Sequence, residues 1–323
     1  MILAELLVLL VSLAVLAKSS AAVVENAVKL SAFFGISTLA IGFVLISVST
    51  SLPELSVSVL SSTSGNGAIA AGNVFGSNIA NILLVLGLGA ALYGFTIKRS
   101  ELLDIGLVLV LTTVISAYII YAASISQRTL AFPEGLVLLG LFAAYVYSVL
   151  HRKRQLPGHE AAKVSKKEAL AAFLWFFASI LVVLASAGFV VESAIKLAGE
   201  LGLAESFIGA TLVAVGTSLP ELSVDLQAIR KRQYGLALGD AIGSNMANIT
   251  LVLGTAAVIN PISITLPVFI IALLFAITAN ILLFYAAAAD RHLRRPAGLL
   301  FLAMYAAYLV IIFLAQAKSA IGW

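Results

Sequence analysis

No cysteine occurs anywhere in the 323 residues, so disulfides and thiolate metal sites are excluded at once. Histidine is nearly absent: His151, His159 and His292 all fall in charged connecting segments, which excludes a buried imidazole site for zinc or copper. Charge is scarce as well, at 11% of residues. A soluble chain carries about a quarter. What remains is 62% hydrophobic, with a mean hydropathy of +1.12, and a chain this apolar belongs in a bilayer. The net charge of +4 is not a nucleic-acid footprint, because the Lys and Arg residues sit in short loops between apolar stretches.

A helix needs about 20 apolar residues to cross the hydrocarbon core. Ten such stretches are present: about 2–30, 37–61, 67–92, 103–123, 133–150, 168–199, 204–229, 235–259, 264–287 and 297–316. The first resembles a signal peptide, but it lacks a basic leading region and carries Glu5 instead, so it is expected to stay. Alternate loops collect Lys98–Arg99, the stretch 151–167, Arg230–Lys231–Arg232 and Arg291–Arg295 on one side. The opposite loops hold Arg128, the acidic stretch 200–205 and the uncharged 260–265. The positive-inside rule makes the first set cytoplasmic and places both termini outside the cell membrane.

The chain is written twice. Residues 42–87 align without a gap on 209–254, at a constant offset of 167, with half of the paired positions identical. Thr50-Ser51-Leu52-Pro53-Glu54 answers Thr217-Ser218-Leu219-Pro220-Glu221, and Gly76-Ser77-Asn78 answers Gly243-Ser244-Asn245. Glu25 and Lys29 answer Glu192 and Lys196, so the unit includes the preceding helix and pairs the first span with the sixth. Five spans separate matched elements, so the second copy crosses in the opposite sense. The expected fold is therefore all-α and integral to the membrane. It has ten transmembrane helices in two inverted five-helix repeats, 1–150 and 168–323, joined by a short basic cytoplasmic loop at 151–167. Broken helices are expected at an ion site where the copies meet.

Glu54 and Glu221 lie deep inside apolar spans, where a carboxylate costs about 2.5–3.5 kcal/mol on insertion scales. No Lys, Arg or His stands in either core motif, so each is protonated or shares its place with a cation. Pro53 lacks an N–H and crowds the Ser49 carbonyl, as Pro220 crowds Gly216. A carbonyl freed in this way must line a cavity or bind an ion. Ser47 and Ser51, like Thr50 and Glu54, lie four residues apart on one broad face, with Ser58 further along it. Ser77 and Asn81 form another such pair, mirrored by Ser244 and Asn248. Gly76 and Gly243 permit close helix approach beside them. Carboxylates, hydroxyls, amide oxygens and released carbonyls are the ligands of hard cations, and this set suits Ca²⁺ or Na⁺ better than Mg²⁺ or a transition metal.

Other polar positions say less. Asp225 and Asp240, the latter opening the next helix opposite Asn73, form either an acidic cytoplasmic vestibule, a helix cap or a pairing with Arg230–Arg232. Glu25–Lys29 and Glu192–Lys196 read as surface pairs at i, i+4. Lys18, midway along the first segment, has no assigned part.

The two duplicated motifs, Thr-Ser-Leu-Pro-Glu and Gly-Ser-Asn-x-x-Asn, resemble the alpha repeats of the cation/calcium exchanger superfamily, most closely its prokaryotic sodium/calcium exchangers. The resemblance covers both motif regions and the ten-span layout. It implies that the second, third, seventh and eighth spans form the site while the first and sixth slide across it. It implies central Ca²⁺ ligands at Glu54 and Glu221 with oxygens of Thr50 and Thr217. Sodium would use that region and flanking sites made with Ser51, Ser77, Ser218, Ser244 and the backbone at Ser47 and Ala214. Asn81 and Asn248 would complete the centre. Ser49 replaces the expected glycine, and Asn248 stands where many relatives carry aspartate, which argues against a potassium requirement. The loop at 151–167 is too short for the calcium-sensing domain of animal relatives.

The function implied is secondary active exchange of Na⁺ for Ca²⁺ by alternating access, with H⁺/Ca²⁺ or another divalent-cation antiport as the alternative on the same fold. Two other classes are weaker. A channel would not need the inverted repeat, and an intramembrane hydrolase would need a nucleophile and base, or metal-binding histidines, inside the spans. No enzymatic activity, cofactor, nucleic acid or obligate protein partner is expected. The partners are membrane lipids and the transported Ca²⁺ and Na⁺.

Overall fold

The computed structural model describes residues 2–125, 129–151, 164–200, 214–263, 266–289 and 291–321. In lipid every backbone group must be satisfied within the chain, and these apolar runs accordingly fold as helices. They are α1 (Ile2–Phe34), the broken pair α2 (Thr38–Thr50) and α3 (Leu52–Thr63), then α4 (Gly67–Leu92), α5 (Leu102–Ile125) and α6 (Phe132–His151). The second half contributes α7 (Lys166–Glu200), the short α8 (Ala214–Thr217) and α9 (Leu219–Arg230), followed by α10 (Tyr234–Ile259), α11 (Leu266–Ala289) and α12 (Arg295–Ile321). Among the described residues eight helices are long and apolar enough to cross a membrane, or nine if α2 and α3 are one bent span. The expected seventh span, 204–229, is described only from Ala214 onward.

The copies correspond element by element at the 167-residue offset: α3 with α9, α4 with α10, and two irregular wide-turn stretches, Asn81–Leu86 with Asn248–Val252. Of the short strands, β1 (Phe95–Thr96) and β3 (Ile262–Ser263) also follow the offset. Strands β2 (Thr129–Leu130) and β4 (His292–Leu293) complete two antiparallel pairs, β1 with β4 and β2 with β3. Each pair ties one copy to the other. Packing is reciprocal in the same way: α6 lies on the last turns of α10, and α12 on those of α4. One hydrophobic core runs through both halves, from Val23 and Ile79 to Ile242 and Phe301.

Helices α4 and α10 sit at the centre. In each, 78% of the most apolar window is buried, against 17–44% for the other six spans. Leu174, Trp175, Phe284 and Tyr285 lie on outward faces, where lipid is their solvent. Helix α10 comes against α2 through glycines: a Cβ on Gly243 would stand 2.7 Å from Phe43 Cα, and one on Gly42 would stand 2.8 Å from Gly239 Cα. The matching Gly76 is looser, with only Tyr308 at 4.0 Å.

Helices α1 and α7 pack along each other outside this centre. Their 33 and 35 residues exceed what a perpendicular crossing of the hydrocarbon core needs. Helix α7 opens with a reciprocal cap, Glu168 N–H donating to Ser165 Oγ and Ser165 N–H to Glu168 Oε2. Glu192 and Lys196 pair at 2.8 Å as expected. Glu25 does not choose Lys29: it reaches Lys231 at 2.6 Å, because the end of α9 packs beside α1 and offers a partner across helices.

Candidate functional site

Both motif helices break at the residue before the Leu-Pro-Glu sequence. Ser51 leaves the helix with ψ 7° and Ser218 with ψ 8°, and the chain bends by 44° between α2 and α3. Proline then occupies the first turn of each new helix, where its missing N–H costs nothing. Glu54 and Glu221 lie in those first turns, next to unsatisfied backbone N–H groups and the positive end of the helix dipole. The break therefore turns two half-helix N-termini, each carrying a carboxylate, into the middle of the protein.

The expected site residues converge there from both copies. Glu54, Glu221, Thr50, Ser51, Ser218, Ser77, Ser244, Asn81, Asn248 and Ser47 are all buried. Ser77 Oγ donates to Glu54 Oε1 at 3.2 Å. The motif threonines cross over, the Thr217 hydroxyl facing Glu54 and the Thr50 hydroxyl facing Glu221. The Ser244 hydroxyl lies 3.4 Å from the Ser47 carbonyl, which brings that backbone oxygen to the site. Ala214 starts α8, and its side chain lies outside the described residues. A cavity of about 460 Å³ between α7 and the broken helices, lined by Pro53, Ala187, Val191, Glu192, Thr217 and Pro220, leads to the Thr217 wall.

Sequence reasoning overlooked one layer, the first asparagine of each Gly-Ser-Asn. Asn78 Nδ2 donates to the Asn245 carbonyl at 3.2 Å, and Asn245 Nδ2 to the Asn78 carbonyl at 3.0 Å. Their own side-chain oxygens then hold the second asparagines: Asn81 Nδ2 donates to Asn245 Oδ1 and Asn248 Nδ2 to Asn78 Oδ1, both at 3.1 Å. With the amide nitrogens engaged, the oxygens of Asn81 and Asn248 are left free of protein partners. Strict duplication of Asn78 and Asn245 was the available signal.

Asp225 and Asp240 are corrected by the structure. Both are fully buried, and Asp240 lies inside α10 rather than at its start. Neither forms a vestibule, caps a helix or meets Arg230 or Arg232. Asp240 Oδ1 accepts from Thr50 at 3.0 Å and Ser244 at 3.1 Å, beside the glutamates.

Among the described residues, ten buried side-chain nitrogen or oxygen atoms lack a hydrogen-bond partner. All ten are oxygens, and all belong to the two motif segments: Ser51, Glu54, Asn81, Ser218, Glu221, Asp225, Asp240 and Asn248. Buried polar atoms in folded proteins are otherwise almost always paired. No Lys, Arg or His forms an ion pair with any of the four carboxylates among the described residues. Oxygens without donors, in a centre without bases, can be satisfied by hard cations. No three acidic or imidazole side chains cluster as metal ligands among the described residues, so each carboxylate pair would be completed by neutral oxygens.

A polytopic helical protein with such an oxygen cage at the meeting of two duplicated units is a membrane cation transporter by construction. The profile of the sodium/calcium exchanger protein family matches residues 4–150 and 171–314, and the chain belongs to that family, within the cation/calcium exchanger superfamily. It is 34% identical to the inner membrane protein YrbG of Escherichia coli over 237 residues, 71% of either chain. It is 30% identical to the sodium/calcium exchanger MaX1 of Methanosarcina acetivorans, over 97% of this chain and 99% of that one. A structure of the sodium-calcium exchanger NCX_Mj matches with a TM-score of 0.80 at 26% identity, covering 96% of this chain and 99% of the other. The chain is thus a multi-pass membrane antiporter of a transporter family, not of an enzyme family.

Proposed function

We propose that this chain exchanges Na⁺ for Ca²⁺ across the cell membrane by alternating access, at one site shared by both ions. The observation that carries the reading is the set of ten unpartnered oxygens, confined to the two duplicated motifs. Glu54 and Glu221 supply the charge that holds Ca²⁺, with Thr50 and Thr217 beside them. Ser51, Ser77, Ser218 and Ser244, the backbone at Ser47 and Ala214, and the oxygens of Asn81 and Asn248 supply the weaker positions that suit Na⁺.

The ten-span, inverted arrangement belongs to the same reading. Five elements separate each pair of matched helices, and an odd number reverses the crossing. Basic loops then place both termini outside and the loop at 151–167 in the cytoplasm. Because the chain contains no cysteine, a single one placed at Ala162 provides a clean topology test. It should react with an impermeant maleimide only after the membrane is opened.

Coupling follows from competition. Two ionised glutamates balance one Ca²⁺, and replacing that ion with more than two Na⁺ leaves the site net positive. Exchange is then electrogenic and responds to voltage. A site that changes access only when its carboxylates are neutralised cannot leak either ion alone.

The experiment is ⁴⁵Ca²⁺ uptake into proteoliposomes loaded with Na⁺, beside K⁺-loaded and pH-jump controls. Uptake that requires internal Na⁺ and grows with an inside-positive potential, because net positive charge leaves with the Na⁺, is the expected result. Uptake driven by the pH jump alone would make the counter-ion a proton. Uptake without any counter-ion gradient would overturn the antiport reading.

A further inference from the structure

Asp225 and Asp240 answer Ser58 and Asn73 at the 167-residue offset, and the same scaffold treats the two pairs differently. In the first copy the pair is neutral and complete. The Asn73 amide donates to Ser58 Oγ at 3.1 Å and to the Glu54 backbone carbonyl at 3.2 Å. In the second copy two carboxyl groups face each other, both fully buried. Asp225 Oδ1, Asp225 Oδ2 and Asp240 Oδ2 have no hydrogen-bond partner in the protein. Ionised carboxylates only accept, so neither can satisfy the other. Only Asp240 Oδ1 is held, by the Thr50 and Ser244 hydroxyls.

No base neutralises this pair. Arg230 and Arg232 are exposed at the end of α9. The Lys231 ammonium is taken by the Glu25 carboxylate and, at 2.9 Å, by the Ala21 carbonyl. Two like charges in contact, away from water, are relieved by a shared proton or by a cation from solution, and a proton between them still leaves one Asp225 oxygen without a partner.

We propose that Asp225 and Asp240, with the Thr50 and Ser244 hydroxyls beside them, form a second cation site that takes a hard divalent ion of the Ca²⁺ class. This site adjoins the one built on Glu54 and Glu221, and rests on the reading that these duplicated motifs bind cations. Its donors are oxygens alone, which excludes the softer transition metals. They come unevenly from three helices, Thr50 from α2, Asp225 from α9, and Asp240 and Ser244 from α10, and Ca²⁺ accepts irregular geometry where Mg²⁺ demands an octahedron. Thr50 and Ser244 give their protons to Asp240, and so turn lone pairs outward. Charge selects a divalent ion as well: the two aspartates match one such ion, as the two glutamates match another. The first copy, with Ser58 and Asn73, carries no counterpart, so the duplicated halves are electrostatically unequal.

The test is equilibrium dialysis of the purified full-length protein in detergent against ⁴⁵Ca²⁺, in Na⁺-free buffer, to give ions bound per chain. The wild type is expected to bind two. Asp225→Ser with Asp240→Asn reproduces the pair that this scaffold already carries in its first copy, and should bind one. Asp225→Asn alone keeps the side-chain shape and should lower affinity for one of the two ions at least tenfold. Glu54→Gln with Glu221→Gln should also leave one ion, now lost on adding the aspartate changes. One ion in the wild type, or a count of two that survives the aspartate changes, overturns the second site and leaves the glutamate cage standing. Loss of both ions in the glutamate variant also overturns it, by making the aspartates dependent on the cage.

Discussion

Asn78 and Asn245, 167 residues apart, each donate a side-chain amide to the other's backbone carbonyl, at 3.2 and 3.0 Å. The exchange fastens α4 to α10 at the centre of the protein. It also presents Asn78 Oδ1 and Asn245 Oδ1 to the Nδ2 groups of Asn248 and Asn81. The orientation of the Asn81 and Asn248 amides is therefore decided one residue layer away from the proposed ion site.

Asn78→Ala should act on both stability and binding. It leaves the Asn248 amide without its partner, at a cost of about 1–3 kcal/mol for a buried group, while the Asn245 carbonyl keeps the Asn248 backbone N–H. Thermal unfolding should fall accordingly, and Ca²⁺ affinity should fall as Asn248 loses its orientation. Unchanged affinity in a destabilised protein would remove the positioning role.

Replacing either cage carboxylate by its amide, Glu54→Gln or Glu221→Gln, keeps shape and removes one negative charge. Counter-ion-driven ⁴⁵Ca²⁺ uptake should drop by at least about tenfold in each, since a hard dication loses half of its matched charge. Because each glutamate retains an unpaired oxygen in the protein, the ion-free variants should unfold no more easily than the wild type. A variant that transports normally would move the site elsewhere.

The glycine contact between α2 and α10 makes a controlled comparison. Gly243→Ala sets a methyl 2.7 Å from the backbone of Phe43, whereas Gly72→Ala meets nothing within 4 Å. The first should destabilise by about 1–3 kcal/mol and the second should not. Equal melting temperatures for the two would contradict the close approach.

Glu101 stands just before α5 and is nearly buried, its carboxylate accepting from the Lys98 N–H at 3.3 Å. Burial lifts its pKa above the usual 4.5, against the smaller opposing pull of Lys98. The folded protein then holds the proton more tightly than the unfolded chain does. This contribution to stability is full below pH 4.5 and is lost as pH rises through the elevated value. Melting curves across that range should show the wild type losing stability relative to Glu101→Gln as pH increases. The opposite slope would mean that Lys98 outweighs burial.

Much of this was legible from the chain itself. Long apolar runs have one stable form in lipid, so the helices that the structure describes were read near their places, and Pro53 and Pro220 marked the region of each break, since proline bars a continuous ladder. The 167-residue offset brought Glu54 and Glu221 together before any coordinates, because duplicated polar residues deep in apolar spans have few other uses. What only the tertiary structure decided were partnerships across helices. Glu25 has Lys29 at ideal helical spacing yet binds Lys231, because a neighbouring helix end supplies a better-placed ammonium. Asp240 follows a basic loop yet faces Thr50 and Ser244, because the glycine contact draws α10 far enough along α2 to enclose it. The asparagine clasp joins residues of the two copies that sequence alone could only pair as equivalents. Local order follows from the backbone and the solvent, both of which are written in the sequence. Which side chains meet depends on how helices cross, and that is set by the whole packed assembly.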